Sequence, residues 1–275
     1  MNTNYKSNYF PKISWNKFYC MQKSKKDWLV INVGSAPVYD KPNFNSSCLT
    51  EVVYGESCLV IDNNKNWFYI ECEDGYKGWV NSFYGIKKIN INQPNYIIAY
   101  PDKNGNFQSN YPFGAKLDRK LPGSVHIREV LEIDKIIPTA ENLLGVPYKW
   151  GGKTSLGFDC SGLVQSVLKV CGLNVPRDSH QQWDYFFSFS DTIDLVASEP
   201  GDIHFFGLKK KVTHVGLSTG GTGILHSQGS VKRESLDPKH DDFNAKLLDI
   251  YLSTYSIKRK FQPVKMPSST SINGQ

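Results

Sequence analysis

The stretch that most narrows the fold runs from Gly145 to Pro176. It opens Gly145-Val146-Pro147-Tyr148-Lys149-Trp150-Gly151-Gly152 and continues Gly157-Phe158-Asp159-Cys160-Ser161-Gly162. After it, Leu163, Val164, Val167, Leu168 and Cys171 recur at the spacing of one helical face. Asp159 suits an N-cap, because its carboxylate can accept backbone N–H groups that the first turn leaves without partners. Gly172 and Pro176 bound the other end. A buried helix is predicted, with Cys160 at its first turn.

A cysteine there has a chemical use. The positive end of the helix dipole favours an anion, and a thiol facing an imidazolium is depressed by several units. A thiolate is a nucleophile for an amide, and the Cys160 N–H can help hold the oxyanion. A small core residue at a helix start is the alternative for Cys160 alone.

The histidines separate those readings. Thr213-His214-Val215-Gly216-Leu217-Ser218 and Ile224-Leu225-His226-Ser227 alternate like strands, and Thr219-Gly220-Gly221-Thr222-Gly223 between them is hairpin material. A hairpin centred on Gly220 pairs residue 218 with 222, 216 with 224 and 214 with 226. His214 and His226 then stand directly opposite, with Cβ atoms roughly 4.5–5.5 Å apart. One ring can fix the tautomer of the other, which gives the base and orienting group of a triad with imidazole in the third place.

The N-terminal half has a different texture. Trp28–Val33, Val38-Tyr39, Ser57–Ile61, Trp67–Cys72 and Gly78–Val80 read as five short strands separated by Asn-, Asp- and Gly-rich turns, which implies a small barrel. Residues 86–133 are expected to form either an ordered linker or a truncated second barrel, and mixed helix and strand follows to about Phe261. Residues 1–27 read as a polar lead and 263–275 as a disordered tail.

Composition removes several classes. Hydrophobic residues at 40% and charged residues at 21% describe a folded globular chain. The net charge of +6 owes part of its excess to Lys17, Lys23, Lys25, Lys26, Lys258, Arg259 and Lys260 near the ends. No basic stripe interleaved with aromatics suggests nucleic acid as a partner, and no apolar run approaches the ~20 residues of a membrane span. Residues 1–19 lack the apolar core of a secretory signal. The expected location is therefore the cytoplasm, with most of Cys20, Cys48, Cys58, Cys72, Cys160 and Cys171 as free thiols. No cofactor and no metal are expected.

Two resemblances follow from these residues. Val38-Tyr39, Tyr54-Gly55-Glu56, Asn66-Trp67 and Gly75-Tyr76-Lys77-Gly78-Trp79-Val80 resemble a bacterial SH3-like domain over residues 28–85. Pro147-Tyr148, Trp150-Gly151-Gly152, Asp159-Cys160-Ser161-Gly162-Leu163, Pro176-Arg177-Asp178-Ser179, Gln182, Pro200-Gly201-Asp202, His214-Val215-Gly216 and His226 resemble the NlpC family of cell-wall peptidases, within a domain of residues 134–262. The combination is similar to intracellular γ-D-glutamyl-diamino-acid endopeptidases. It implies an α+β chain: an SH3-like β-barrel, then a papain-like domain with a helix packed on an antiparallel sheet.

That resemblance also assigns roles. It implies Cys160 as nucleophile, His214 as general base and His226 as orienting residue, with the Tyr148 hydroxyl near the oxyanion. Asp159 and Ser161 would contact the N-terminal part of the substrate, Ser179 the D-glutamyl carboxylate, and Tyr76 would close over the free amino group. Glu73 or Asp74 is the expected acidic partner of that ammonium, and Arg177 is expected to anchor structure. The implied partner is a peptidoglycan stem peptide, L-Ala-γ-D-Glu-diamino acid, cut during recycling. Ser218 stands where the family more often has a bulky residue, so the pocket edge is expected to differ. His204 is expected to be a strand residue without a catalytic role, and His126, His180 and His240 have no partner pattern. The competing readings are a papain-like acyltransferase, a non-catalytic wall-binding protein, and a zinc site built from Cys160 and the two histidines.

Overall fold

The structure, a computed structural model, describes residues 26–127, 133–209 and 211–257. Most of the expected polar lead, the tail 263–275, Cys20 and the terminal basic residues other than Lys26 lie outside the described residues.

The first unit is a seven-stranded antiparallel sheet. Its strands are β1 (Trp28–Ile31), β2 (Ser35–Tyr39), β3 (Cys48–Val53), β4 (Ser57–Asn64), β5 (Trp67–Glu71), β6 (Lys77–Asn81) and β7 (Gly85–Lys88), in the order β3-β2-β6-β5-β4-β1-β7. Alternate residues Leu29, Ile31, Ala36, Val38, Ile70 and Val80 fill its core, as a half-buried strand pattern requires. Cys58 and Cys72 are buried in the same core as free thiols. The sequence pattern misses β3, because that strand carries a buried Thr50 and Glu51 where alternation calls for apolar residues.

Residues 86–133, left open between linker and barrel, carry a three-stranded sheet of β8 (Tyr96–Ile98), β9 (Lys116–Leu117) and β10 (Ser124–His126), with β8 in the middle. Phe113, Ile97 and Ala99 join this segment to the core of the C-terminal unit.

That unit holds α1 (Ile136–Glu141), the short ribbon β11 (Lys153–Thr154) and β12 (Gly157–Phe158), α2 (Cys160–Val170) and α3 (Ser179–Phe189). Six antiparallel strands follow: β13 (Thr192–Ile193), β14 (Ile203–Leu208), β15 (Lys211–Gly220), β16 (Gly223–Gln228), β17 (Ser230–Ser235) and β18 (Tyr251–Tyr255), with α4 (Ala245–Asp249) before β18. The sheet order is β13-β18-β14-β15-β16-β17. Helix α2 buries Leu163, Val164, Val167 and Leu168 against Phe205, Val215, Leu217 and Leu225 of the sheet. The next residues along the strands, Phe206 and Ile224, form a smaller cluster with Leu236 and Leu247. The chain is α+β, with strand sheets first and a helix-on-sheet domain second. No helix among the described residues is long and apolar enough to cross a membrane.

Candidate active site

Helix α2 begins as its sequence dictates. Asp159 is extended, with φ −88° and ψ 177°, and its carboxylate accepts from the Gly162 N–H at 2.7 Å. At the far end Gly172 takes a left-handed φ of 84°, and Leu173 and Gly172 donate back to Leu168 and Lys169, closing the helix as a Schellman motif does. A Cβ on Gly162 would lie 2.0 Å from the Gly152 carbonyl oxygen, so the first turn packs flush against the Trp150-Gly151-Gly152 loop.

The hairpin register differs from the expected one. Leu217 pairs with Leu225, Ser218 with Ile224 and Gly220 with Gly223, with a bulge between Ser218 and Gly220. The two-residue tip is Gly221-Thr222, so opposed residues are offset by two from a turn centred on Gly220. Parity is kept, and both histidines stay on one face. They are diagonal neighbours instead of an opposed pair, and Gly216 stands beside His226: a Cβ on Gly216 would come within 2.9 Å of the His226 Cβ. Their rings meet all the same, His214 Nε2 lying 2.8 Å from His226 Nδ1.

Ladder pairing between β15 and β16 ends at Leu217 and Leu225. Beyond it the tip of α2 enters the sheet. The Ser227 hydroxyl donates to the Phe158 carbonyl at 2.8 Å, and the backbone N–H groups of Ser161 and Val215 lie near enough to the Cys160 sulfur to favour its charged form. The Val215 nitrogen is joined to the His214 Cα through a single carbonyl carbon, so the sulfur lies beside the backbone that carries His214.

The expected depression of the thiol is not found. Burial, then the Asp159 carboxylate, push the Cys160 thiol up to about 11 against the pull of the two N–H groups. Burial, then the neighbouring His226 ring, bring His214 down to about 3. Thiol and imidazole are therefore both uncharged at rest. Burial and the proximity of Cys160 and Asp159 also push the Tyr148 phenol up to about 12, so it remains a hydrogen-bond donor beside the sulfur.

The other expected residues sort into two groups. Asp159 and Ser161, expected to meet substrate, are 6% exposed and tied to Arg177. Arg177 Nη1 donates to Asp159 Oδ1 at 3.0 Å and to Ser161 Oγ at 2.9 Å, and Nη2 donates to Asp159 Oδ2 at 2.6 Å. The Gly151 N–H also donates to Asp159. These polar atoms serve the scaffold, and Arg177 anchors structure. Glu73 and Asp74 are likewise committed: Glu73 pairs with Lys116 and Lys169, and Asp74 with Lys153 and Gln165. Tyr76 instead crosses to the C-terminal unit, where its hydroxyl donates to Asp178 Oδ2 at 3.3 Å. Ser179, half-buried, opens α3 immediately after Asp178.

Ser218 does not form a pocket edge. It is fully buried and bonds Ser198 and the Gly220 N–H within the hairpin. His204 is buried, with Nδ1 2.7 Å from the Thr254 hydroxyl, and Phe206 packs against both it and His214. Cys160, His214 and His226 do not converge as metal ligands: His226 directs one ring nitrogen to His214 and the other to Glu234. Among the described residues no three His, Cys, Asp or Glu side chains gather in a way that could hold a metal ion.

Two neighbours of the site escape the sequence reading. Asp178 was hidden in a motif whose acid reads as a helix cap. Glu234 was within reach of register arithmetic, since the turn at Gly229 pairs Ile224 with Glu234 and puts Glu234 on the face of His226.

Comparison with known proteins agrees with this layout. Residues 145–249 match the NlpC/P60 family, and residues 38–82 match the bacterial dipeptidyl-peptidase SH3 domain. The chain is 27% identical to a gamma-D-glutamyl-L-lysine dipeptidyl-peptidase of Bacillus subtilis over 215 residues, spanning 65% of this chain and 71% of that protein. It is 23% identical over 264 residues to a protein of the same name from Bacillus cereus, spanning 78% of this chain and 75% of the relative. An NlpC/P60 endopeptidase structure from Photobacterium damselae subsp. piscicida shares the fold, with a TM-score of 0.60 at 16% identity over 85% of this chain and 73% of that one. The chain is a hydrolase that carries an NlpC/P60 cysteine peptidase domain behind a bacterial SH3 domain.

Proposed function

We propose that the chain is a cysteine endopeptidase that cuts the amide between the γ-carboxyl of D-Glu and a diamino acid in peptidoglycan stem peptides bearing a free N-terminal L-Ala, and that it works in the cytoplasm on released wall peptides. One observation carries the reading: Cys160 at the tip of α2 lies beside the Val215 backbone, one residue along the strand from His214, whose ring meets His226 at 2.8 Å, while Tyr76 of the N-terminal unit reaches Asp178 next to Ser179. Two relatives named gamma-D-glutamyl-L-lysine dipeptidyl-peptidase support it.

In this scheme the Cys160 proton moves to His214 Nδ1 as sulfur attacks the amide carbon. Coupling the two steps avoids forming a buried ion pair in the resting enzyme. The Cys160 N–H and the Tyr148 hydroxyl receive the oxyanion. His214 then protonates the departing amine, and water, deprotonated by the same ring, releases the acyl group. Ser179 faces the D-glutamyl carboxylate. With Glu73 and Asp74 held by lysines, the acid available beside Tyr76 for the substrate ammonium is Asp178.

The test compares L-Ala-γ-D-Glu-diaminopimelate, the same peptide acetylated at its amine, and intact sacculi. Cleavage of the free peptide, with at least a tenfold lower kcat/KM for the acetylated one, is expected. Cleavage confined to sacculi contradicts the recycling role, and equal turnover of both peptides contradicts recognition of the amine.

A further inference from the structure

The proton relay does not stop at His226. Its Nε2 lies 2.9 Å from Glu234 Oε2, and each remaining contact of that carboxylate comes from a donor. Lys232 Nζ donates to Oε1 at 2.7 Å and Asn244 Nδ2 donates to Oε2 at 2.7 Å. Asn244 is itself pinned, because its Oδ1 caps α4 by accepting from the Leu247 N–H at 3.0 Å. The carboxylate is thus held from β16, β17 and the start of α4, with its side chain 17% exposed.

Burial opposes ionisation of Glu234, but the Lys232 and Asn244 hydrogen bonds and the charge of Lys232 hold it below the usual carboxylate range. An ionised carboxylate can only accept. His226 must therefore donate from Nε2, and as a neutral ring it must accept at Nδ1. The facing nitrogen, His214 Nε2, must then carry the proton of the 2.8 Å contact. Neutral His214 keeps its lone pair on Nδ1, the nitrogen not engaged with His226.

We infer that Glu234 is a positioning residue of the peptidase, fixing both histidines as Nε2–H tautomers so that His214 Nδ1 is free to take the Cys160 proton. In that step the S–H bond breaks, an Nδ1–H bond forms and the electron pair stays on sulfur. The new imidazolium then donates along the relay towards a fixed negative charge. Carboxylate partners of active-site imidazoles act in this way in other hydrolases, where the amide variant leaves the wrong tautomer. The inference rests on the roles proposed for Cys160 and His214, so one of its tests does not use turnover.

That test is nitrogen-15 NMR of the histidine rings in resting wild type and in Glu234→Gln. Wild type is expected to show His214 and His226 protonated at Nε2 alone. The Gln variant, nearly isosteric and able to present either its oxygen or its amide, is expected to show a mixture at His226. Kinetically, Glu234→Gln is expected to lower kcat on order 10- to 100-fold with little change in KM, and to change the pH at which the acid limb of kcat/KM falls. Glu234→Asp, which keeps the charge, is expected to recover part of the loss, and also serves if the Gln variant does not fold. Unchanged tautomers in Glu234→Gln overturn the inference even if wild type cleaves no wall peptide. A loss of kcat that only follows a lowered Tm, with the pH profile unmoved, overturns it as well.

Discussion

Removing Arg177 would strand the Asp159 carboxylate immediately beside Cys160. At 2% exposure the guanidinium makes a bidentate pair and also holds Ser161 and Thr50, the last at 2.9 Å. Breaking a buried pair on one side costs about 3–5 kcal/mol, mostly because the other charge loses its partner. Arg177→Ala is therefore expected to lower ΔG of unfolding by about that amount, read by urea denaturation. Arg177→Lys is expected to recover little, since an ammonium cannot reproduce the planar fork. At this scale the place of Cys160 at the helix start and the shared face of His214 and His226 were legible in the sequence, because residue type and spacing encode them. What Asp159, Ser161, Glu73 and Asp74 bond to was not legible. Each is drawn into an ion-pair or hydrogen-bond network by residues at least 16 positions away, Arg177, Lys116 and Lys153 among them.

At the scale of elements, the β15–β16 hairpin must bring two imidazoles together and then part to admit a helix tip. Gly216 makes the first possible: a Cβ there would lie 2.6 Å from Ile224 Cδ1, 2.8 Å from Ile224 Cγ1 and 2.9 Å from His226 Cβ. Gly216→Ala is expected to displace the His226 ring and cost about 1–3 kcal/mol by overpacking. The same variant is expected to lower kcat more than it raises KM, checked by steady-state kinetics beside a thermal melt. Alternation showed that both histidines share a face, but the register depended on a bulge at Thr219 that alternation does not report. Helix α2 was the most legible element, since cap, apolar face and terminating glycine all agree. Strand β3 was the least, because its buried Glu51 pairs with Lys149, 98 residues away.

Across the whole molecule, a buried charge network clamps the sheets together. Glu56, Glu73 and Asp74 of the first unit meet Lys116 of the three-stranded sheet and Lys153 and Lys169 of the peptidase domain. The lysines keep the Glu56 and Asp74 carboxyls below their ordinary values although burial pushes the other way. A carboxylate held low in the folded state stabilises that state above the unfolded value, near 4. The contribution is lost as pH falls below that value towards the folded one. The units are therefore expected to stay docked from about pH 5 upwards and to loosen progressively below about pH 4, followed by small-angle scattering or by quenching of intrinsic Trp emission. Glu56→Gln, which abandons the charge of Lys169, is expected to destabilise by about 3–5 kcal/mol at pH 7. Scattering and Trp emission unchanged between pH 7 and pH 3 would contradict this. The barrel and the helix-on-sheet domain were legible as separate textures of sequence. The clamp between them was not, because its six charges are dispersed along the chain and each looks like surface until the fold brings them inside.

The most direct measurement is kcat/KM on the free L-Ala-γ-D-Glu-diaminopimelate peptide for wild type, Cys160→Ala, Cys160→Ser and His214→Ala, with circular dichroism confirming the fold of each. Undetectable cleavage by Cys160→Ala and a loss of at least 10³-fold in the other two is the expected result. Turnover by a folded Cys160→Ala at the wild-type rate would contradict the account.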